Sequence, residues 1–296
     1  MKNTTGKHTI FSKIIKTLYA VSFAFIIYFI ISGISFYITG YQARPQLEAY
    51  RTLRPAGDFG HGVGIIGSAM MLFMLLYSLR KRTRFFGKLG KLSHWLDVHI
   101  YFGIIGPLLV ILHSSFKVQG LVAVSFWAML AVALSGVFGR YLYLQIPRDV
   151  DDDNLSLKEI EDSKGVLDKQ LKDGFNIQAD VITAVGDALA IRLTHETGIL
   201  RSFIIIMFDD LIQPFKAGRL KKNLVRAYNI DHATVDRLYG TLRRKHLLER
   251  KILLFDQIQQ LFHYWHVFHK PFAIIMYLIM LVHIGIAVWL GYTWKF

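Results

Sequence analysis

Four histidines in this chain share a spacing. One segment reads His94-Trp-Leu-Asp97-Val-His99, continues through Gly103, Gly106 and Pro107, and reaches His113. Another reads His263-Tyr-Trp-His266-Val-Phe-His269-Lys270-Pro271 and then reaches His283. His99 and His113 are 14 residues apart, and so are His269 and His283. At ~100° and ~1.5 Å per helical residue, that separation returns both side chains to nearly one face, about 21 Å apart along the axis. Imidazole is an axial ligand of haem iron. Two such helices side by side therefore offer two facing pairs, His99 with His269 and His113 with His283, able to hold two stacked b-type haems. Other pairings fit less well, since His94 and His113 are 19 apart and His266 and His283 are 17 apart, each about 100° from a common face.

Further residues are expected around these four. Gly103 and Gly106 follow His99 by 4 and 7 positions, on the ligand face, where a missing side chain lets a flat macrocycle or a neighbouring helix approach closely. His61 stands in the stretch Gly60-His61-Gly62-Val63-Gly64, at the depth expected for His113. It could contact a haem propionate, line a quinone pocket, or replace one ligand of the outer haem. His94, His263 and His266 are expected at the cytoplasmic edge. Arg140, Lys91 and Lys270 are candidates for pairing with cytoplasmic propionates and Arg54 for an outer one, against the alternative of snorkelling anchors.

The elements that must position these residues are membrane spans. The 296 residues are 53% hydrophobic and 19% charged, with a mean hydropathy of +0.36, which is more apolar than a soluble domain. A spanning helix needs about 20 predominantly apolar residues. Five uncharged gaps are long enough: Lys16 to Arg44 encloses 27 residues, Asp58 to Arg80 21, Asp97 to Lys117 19, Lys117 to Arg140 22, and Lys270 to Lys295 24. The run from Ile199 to Phe208 is broken by Arg201 and closed by Asp209 and Asp210, and reads as an amphipathic or buried helix instead. With no cysteine, disulfides, thiolate-held iron–sulfur clusters and covalently attached haem are excluded, leaving histidine as the metal ligand. No phosphate loop and no strand followed by GxGxxG is present.

The expected fold class is all-α: a membrane bundle of five transmembrane helices with a mostly helical cytoplasmic insertion. Basic residues set its orientation. Lys2, Lys7, Lys13 and Lys16 precede the first span, and Arg80, Lys81, Arg82, Arg84, Lys88 and Lys91 lie between the second and third. Both segments are expected inside, giving a cytoplasmic N-terminus and an outer C-terminus in a bacterial cytoplasmic (inner) membrane. The boundaries are then 1–13 for the N-terminus, 14–145 for four spans, 146–262 for the insertion and 263–296 for the fifth span with its outer end. The net charge of +14 belongs to inward-facing loops rather than to a nucleic-acid surface. In the insertion, the acidic run Asp149 to Asp153 precedes the basic stretches Lys216 to Arg226 and Arg243 to Lys251. The basic stretches read either as a solvated face near anionic headgroups or as a docking face for a redox partner.

Two parallel helices with histidines 14 apart resemble the ferric reductase-like transmembrane family, which includes NADPH oxidases, metalloreductases and the membrane haem subunit of the bacterial methionine sulfoxide reductase system. The cytochrome b of quinol-oxidising complexes uses the same device. The likeness covers the five spans and rests on His99, His113, His269 and His283. The phrase Ser135-Gly-Val-Phe-Gly-Arg-Tyr-Leu-Tyr-Leu-Gln-Ile-Pro147 is also similar to a bacterial branch of such proteins. The resemblance implies ligands from the third and fifth helices and two haem b groups passing electrons across the membrane, to or from partner subunits or a quinone. The oxidases carry a flavin and nicotinamide module after the last helix, where this sequence has Gly291 to Phe296, so a separate electron donor is expected. Two rival readings are a terminal ferric or metal reductase acting at the outer haem, and a histidine-lined metal transporter.

Overall fold

The computed structural model describes residues 4–83, 89–145, 157–173, 179–189, 198–228 and 230–292. Lys2, Arg84, Lys88 and the acidic run Asp149 to Asp153 lie outside them. In chain order the helices are α1 (Thr4–Ser32), α2 (Ile34–Ile38), α3 (Tyr50–Leu53), α4 (Asp58–Arg82), α5 (Leu92–Ser114), α6 (Gly120–Gln145), α7 (Leu157–Asp173), α8 (Ala179–Leu189), α9 (Ile199–Tyr228), α10 (His232–Leu253) and α11 (Phe255–Trp289). The described residues contain no strand. Five helical stretches are long and apolar enough to cross a membrane: Ile10–Ser32, Tyr50–Arg82, Leu92–Ser114, Gly120–Gln145 and Phe255–Trp289. They coincide with the five uncharged gaps, and the Ile199 run is not among them.

The first gap is not one continuous helix. It begins earlier than its last lysine implies, at Thr4, and breaks at Gly33 before the short α2. A Cβ at Gly33 would sit 2.8 Å from the Leu53 side chain and 3.1 Å from the Phe29 carbonyl, so the break packs closely against Leu53. The fifth helix starts at Phe255 and carries His263, His266 and Pro271 inside one 35-residue element.

The chain divides into two compact units, one of residues 1–139 with 265–296 and one of residues 140–264. In the first, α4 and α5 form the closest helix pair and α1 packs on α5. Ile26, Val63, Tyr101, Ile105, Leu109 and Leu112 are buried together there. A second cluster joins Met71, Ala128, Met129, Met276 and Met280 from α4, α6 and α11. Methionine suits a junction of several helices because its unbranched thioether fills irregular gaps. Tyr277 and Ser125 fasten the same region, the first donating to the Met71 carbonyl (2.6 Å) and the second to the Met276 carbonyl (3.1 Å).

In the second unit, α7, α8 and α9 all pack against α10. Val181, Val185 and Leu189 of α8 recur at helical spacing and meet Leu171, Leu224, Val235, Leu238 and Leu242 in one core. Helix α8 is apolar on the side that meets this core, as a surface helix requires. A polar cluster holds their ends. Arg250, 8% exposed, donates to Asp210 (2.8 Å) and Gln145 (3.0 Å), and the Tyr141 hydroxyl donates to Asp210 (2.9 Å).

The connection between the first two spans is tied to the end of α5 by Arg44, which the sequence marked only as a loop charge. Its side chain is buried, 6% exposed. It donates to the carbonyls of Thr39 (2.8 Å), Tyr37 (2.9 Å) and Ser115 (2.7 Å), and its guanidinium lies over the rings of Tyr41 and Phe36. Ser115 and Phe116 have φ of 48° and 62°, a left-handed backbone that non-glycine residues adopt only when surroundings hold it. Ser115 is further fixed by donating to the Leu53 carbonyl at 2.8 Å. Charged hydrogen bonds are each worth about 1.5–3 kcal/mol when buried partners depend on them. Arg44→Met is therefore expected to lower stability by roughly 3 kcal/mol or more, read as thermal melting of the purified protein in detergent; an unchanged midpoint would contradict this role.

Candidate functional site

The four matched histidines stand in two tiers. In one, His113 of α5 faces His283 of α11 with ring centroids 6.5 Å apart. In the other, His269 of α11 and His99 of α5 are close enough to interact electrostatically. His61 of α4 joins the His113 tier, its ring 6.4 Å from that of His113, and it also interacts with His283. The backbone of α5 packs closely along α4 and not along α11, so the facing imidazoles look across a space between helices.

Three of the four rings are held by their Nδ1 atoms. His113 donates from Nδ1 to the Gly60 carbonyl at 2.9 Å, and His99 to the Met74 carbonyl at 3.3 Å, the longer of the two. A carbonyl can only accept, so the proton belongs to the ring nitrogen in both cases. His269 Nδ1 lies 2.7 Å from the Ser135 hydroxyl. The same hydroxyl lies 2.9 Å from the Val132 carbonyl. The two carbonyl bonds hold His113 and His99 as the Nδ1–H tautomer, which places their lone pairs on Nε2.

Packing aims the rings as well. A Cβ at Gly64 would lie 2.5 Å from His113 Nδ1 and 2.6 Å from its Cγ, so α4 leaves room for this imidazole and no more. Four residues separate Ser135 from Gly139 on α6 and Trp265 from His269 on α11, and these pairs meet. Trp265 donates to the Ser135 carbonyl at 2.6 Å, over Gly139, and its ring lies 4.8 Å from that of His269. Tyr77 flanks His99 at 5.0 Å between ring centroids. Beside His99 lies an apolar cavity of about 260 Å³ whose lining includes Phe73, Tyr77, Trp95 and Phe102.

The other expected residues fall as follows. Gly103 and Gly106 meet α4: a Cβ at Gly106 would be 3.1 Å from Met71 Cγ and 3.2 Å from the Gly67 carbonyl, and one at Gly103 3.2 Å from the end of the Met74 side chain. Helix α4 is thus a close neighbour of both glycines. Arg140 belongs to the second compact unit, with its guanidinium 5.4 Å over the Tyr143 ring. Arg54 lies over Tyr50 at 5.6 Å. Lys91 caps α5 at its N-terminus and Lys270 is exposed. His94 stacks on Phe11 of α1 at 4.2 Å, His266 lies against Trp265 at 4.5 Å, and His263 lies beside Tyr264.

Gly60, Met74 and Ser135 are the supporting residues that sequence reasoning did not find. Two of them act through backbone carbonyls, which no side-chain type announces. Only the paired four-residue spacings on α6 and α11 offered a sequence signal. Among the described residues, no group of three or more histidines or carboxylates is arranged to hold a metal ion. A bis-imidazole haem asks only two side chains of the protein, because the macrocycle supplies the remaining donors.

Comparison with known proteins gives no match: no protein family fits the chain, and no curated protein or solved structure is similar to it.

The close approach at Gly64 is directly testable. Gly64→Ala should displace the His113 ring and break its bond to the Gly60 carbonyl, seen as a change in the His113 Nδ1 signal in ¹⁵N magic-angle-spinning spectra. Gly103→Ala meets only a flexible methionine end and should leave that signal in place. An unperturbed His113 signal in Gly64→Ala would contradict the packing.

Proposed function

We propose that this chain is a di-haem b-type cytochrome subunit of a bacterial cytoplasmic membrane, passing electrons across the bilayer between a quinone or redox partner and an acceptor on the other side. The observation that carries the reading is the shared tautomer of His99 and His113, one ring in each tier. A histidine that binds metal through one ring nitrogen ordinarily donates the other N–H to a carbonyl, hydroxyl or carboxylate, which fixes its direction and raises its basicity. A proton-relaying histidine needs the opposite, a ring free to exchange protons at both nitrogens.

The geometry of the second tier fits the group. Imidazoles bound to one metal from opposite sides, at ~2.0–2.1 Å per bond, have ring centroids roughly 6 Å apart, and His113 and His283 stand at 6.5 Å. His99 with His269 would hold the haem on the cytoplasmic side, and His113 with His283 the outer one. These four histidines would hold the haem b, which when bound would supply one-electron redox chemistry. The chain's own part is to fix ligand direction through Gly60, Met74 and Ser135 and to keep the rings in an apolar setting. His61, at nearly the same distance from His113, is the alternative second ligand of the outer tier. Arg140, Lys91 and Lys270 are proposed to meet propionates on the cytoplasmic side, and Arg54 on the outer side. The apolar cavity beside His99 has the lining for a quinone ring, with the aromatic faces of Phe73, Tyr77, Trp95 and Phe102 around it. The proposed kinship with the ferric reductase-like family rests on the same four ligands.

A reduced-minus-oxidised absorption spectrum of the purified protein is expected to show b-type bands; their absence would overturn the reading in favour of a metal transporter. Replacing His113 or His283 by alanine should remove one haem and spare the other, and retention of both in His283→Ala would move the ligand to His61. Ser135→Ala removes the hydroxyl partner of His269 Nδ1. It should shift the midpoint potential of one haem and leave the second unchanged, while Ser135→Thr should restore it. An identical potential in Ser135→Ala would contradict the role of Ser135 in holding that ligand.

A further inference from the structure

Helix α9 turns a second apolar face outward. Its inward face buries Ser202, Ile206, Gln213 and Leu224. On the opposite side stand Ile204, Phe208, Leu211 and Phe215, which are 42%, 53%, 68% and 80% exposed. Their separations of 4, 3 and 4 residues keep them within an arc of about 60° at ~100° per residue. Further along the helix the same arc carries Arg219, Lys222 and Arg226, all exposed. The only acids of α9, Asp209 and Asp210, lie off this arc, and both are engaged: Asp209 with Lys216 at 3.5 Å and Asp210 with Arg250 at 2.8 Å.

Four large apolar side chains in one exposed row are more than scattered surface residues, and such rows mark contact surfaces. Two features identify the contact. An exposed apolar row that continues along the helix into cations, with no acid on it, offers hydrocarbon contact to acyl chains at one end and charge to anionic headgroups at the other. The chain order also ties this unit at both ends to helices long and apolar enough to span a membrane, α6 and α11, so a bilayer is always within its reach. A second copy seated on the same face would bring two sets of Arg219, Lys222 and Arg226 together, like charge against like.

We propose that α9 is an in-plane membrane anchor, with Ile204, Phe208, Leu211 and Phe215 set into the acyl boundary and Arg219, Lys222 and Arg226 bound to the phosphates of anionic lipids. This stands independently of the histidine tiers. The lack of cysteine allows single nitroxide labels to be placed by Leu211→Cys, Phe215→Cys and, as a water-facing control on α7, Glu161→Cys. The full chain is placed in nanodiscs of phosphatidylcholine with phosphatidylglycerol. Labels at 211 and 215 should collide more often with dissolved oxygen than with a water-soluble nickel chelate, and the label at 161 should show the reverse. Adding Arg219→Glu and Lys222→Glu should shift the 211 and 215 labels toward the chelate. Three results would overturn the proposal: chelate access at 211 and 215 equal to that at 161, spin–spin broadening at 211 that reports a second copy, or no shift on charge reversal.

Discussion

An imidazole presents a lone pair in a fixed direction only when its other nitrogen is committed elsewhere. In this protein the Gly60 carbonyl makes that commitment for His113 and the Met74 carbonyl for His99, one ring in each tier. The Ser135 hydroxyl stands 2.7 Å from Nδ1 of His269 and orients the third ring. Burying a polar ring in an apolar bundle is costly unless its N–H finds a partner. The carbonyl bonds that satisfy His99 and His113 therefore also select their tautomer.

Much of the surrounding bundle can be understood as what those bonds require. A ring on α5 reaches a carbonyl on α4 only if the helices approach closely, and α4 and α5 are the tightest pair in the first unit. Glycine makes that approach possible: at Gly64 the ring of His113 occupies the place of a side chain, and at Gly67 a Cβ would stand 2.9 Å from the Gly106 carbonyl. On the far side, α6 meets α11 through Ser135 and Trp265. Helix α11 is thus oriented by side chains, whereas α5 is oriented by close backbone packing. Arg44 adds a third constraint by pinning the left-handed turn that follows His113 by two residues.

The five spans were legible because uncharged length is a one-dimensional property that a sequence displays directly. So was the facing of the histidines, since a spacing of 14 fixes a helix face whatever the neighbours are. The break at Gly33 was not legible, because it answers to Leu53 and Phe29 rather than to any charge. Gly103 and Gly106 were correctly seen as points of close approach, but a helix contact and a flat ligand demand the same missing side chain, and only the structure shows α4 there. The carbonyls of Gly60 and Met74 leave no mark in residue type at all. Arg44 looked like no more than the charge that closes the first gap, and its burial depends on carbonyls scattered from Tyr37 to Ser115. The Ile199 run was too short and too charged to span, and its exposed apolar row appears only once the buried face of the same helix is known.

The central claim is that these histidines act in pairs on two irons. Low-temperature electron paramagnetic resonance of the oxidised, purified protein tests it most directly, because two imidazoles on one haem iron give a low-spin ferric signal. The account predicts two low-spin signals and no high-spin component. A high-spin haem signal, a single low-spin species, or no haem signal would contradict it.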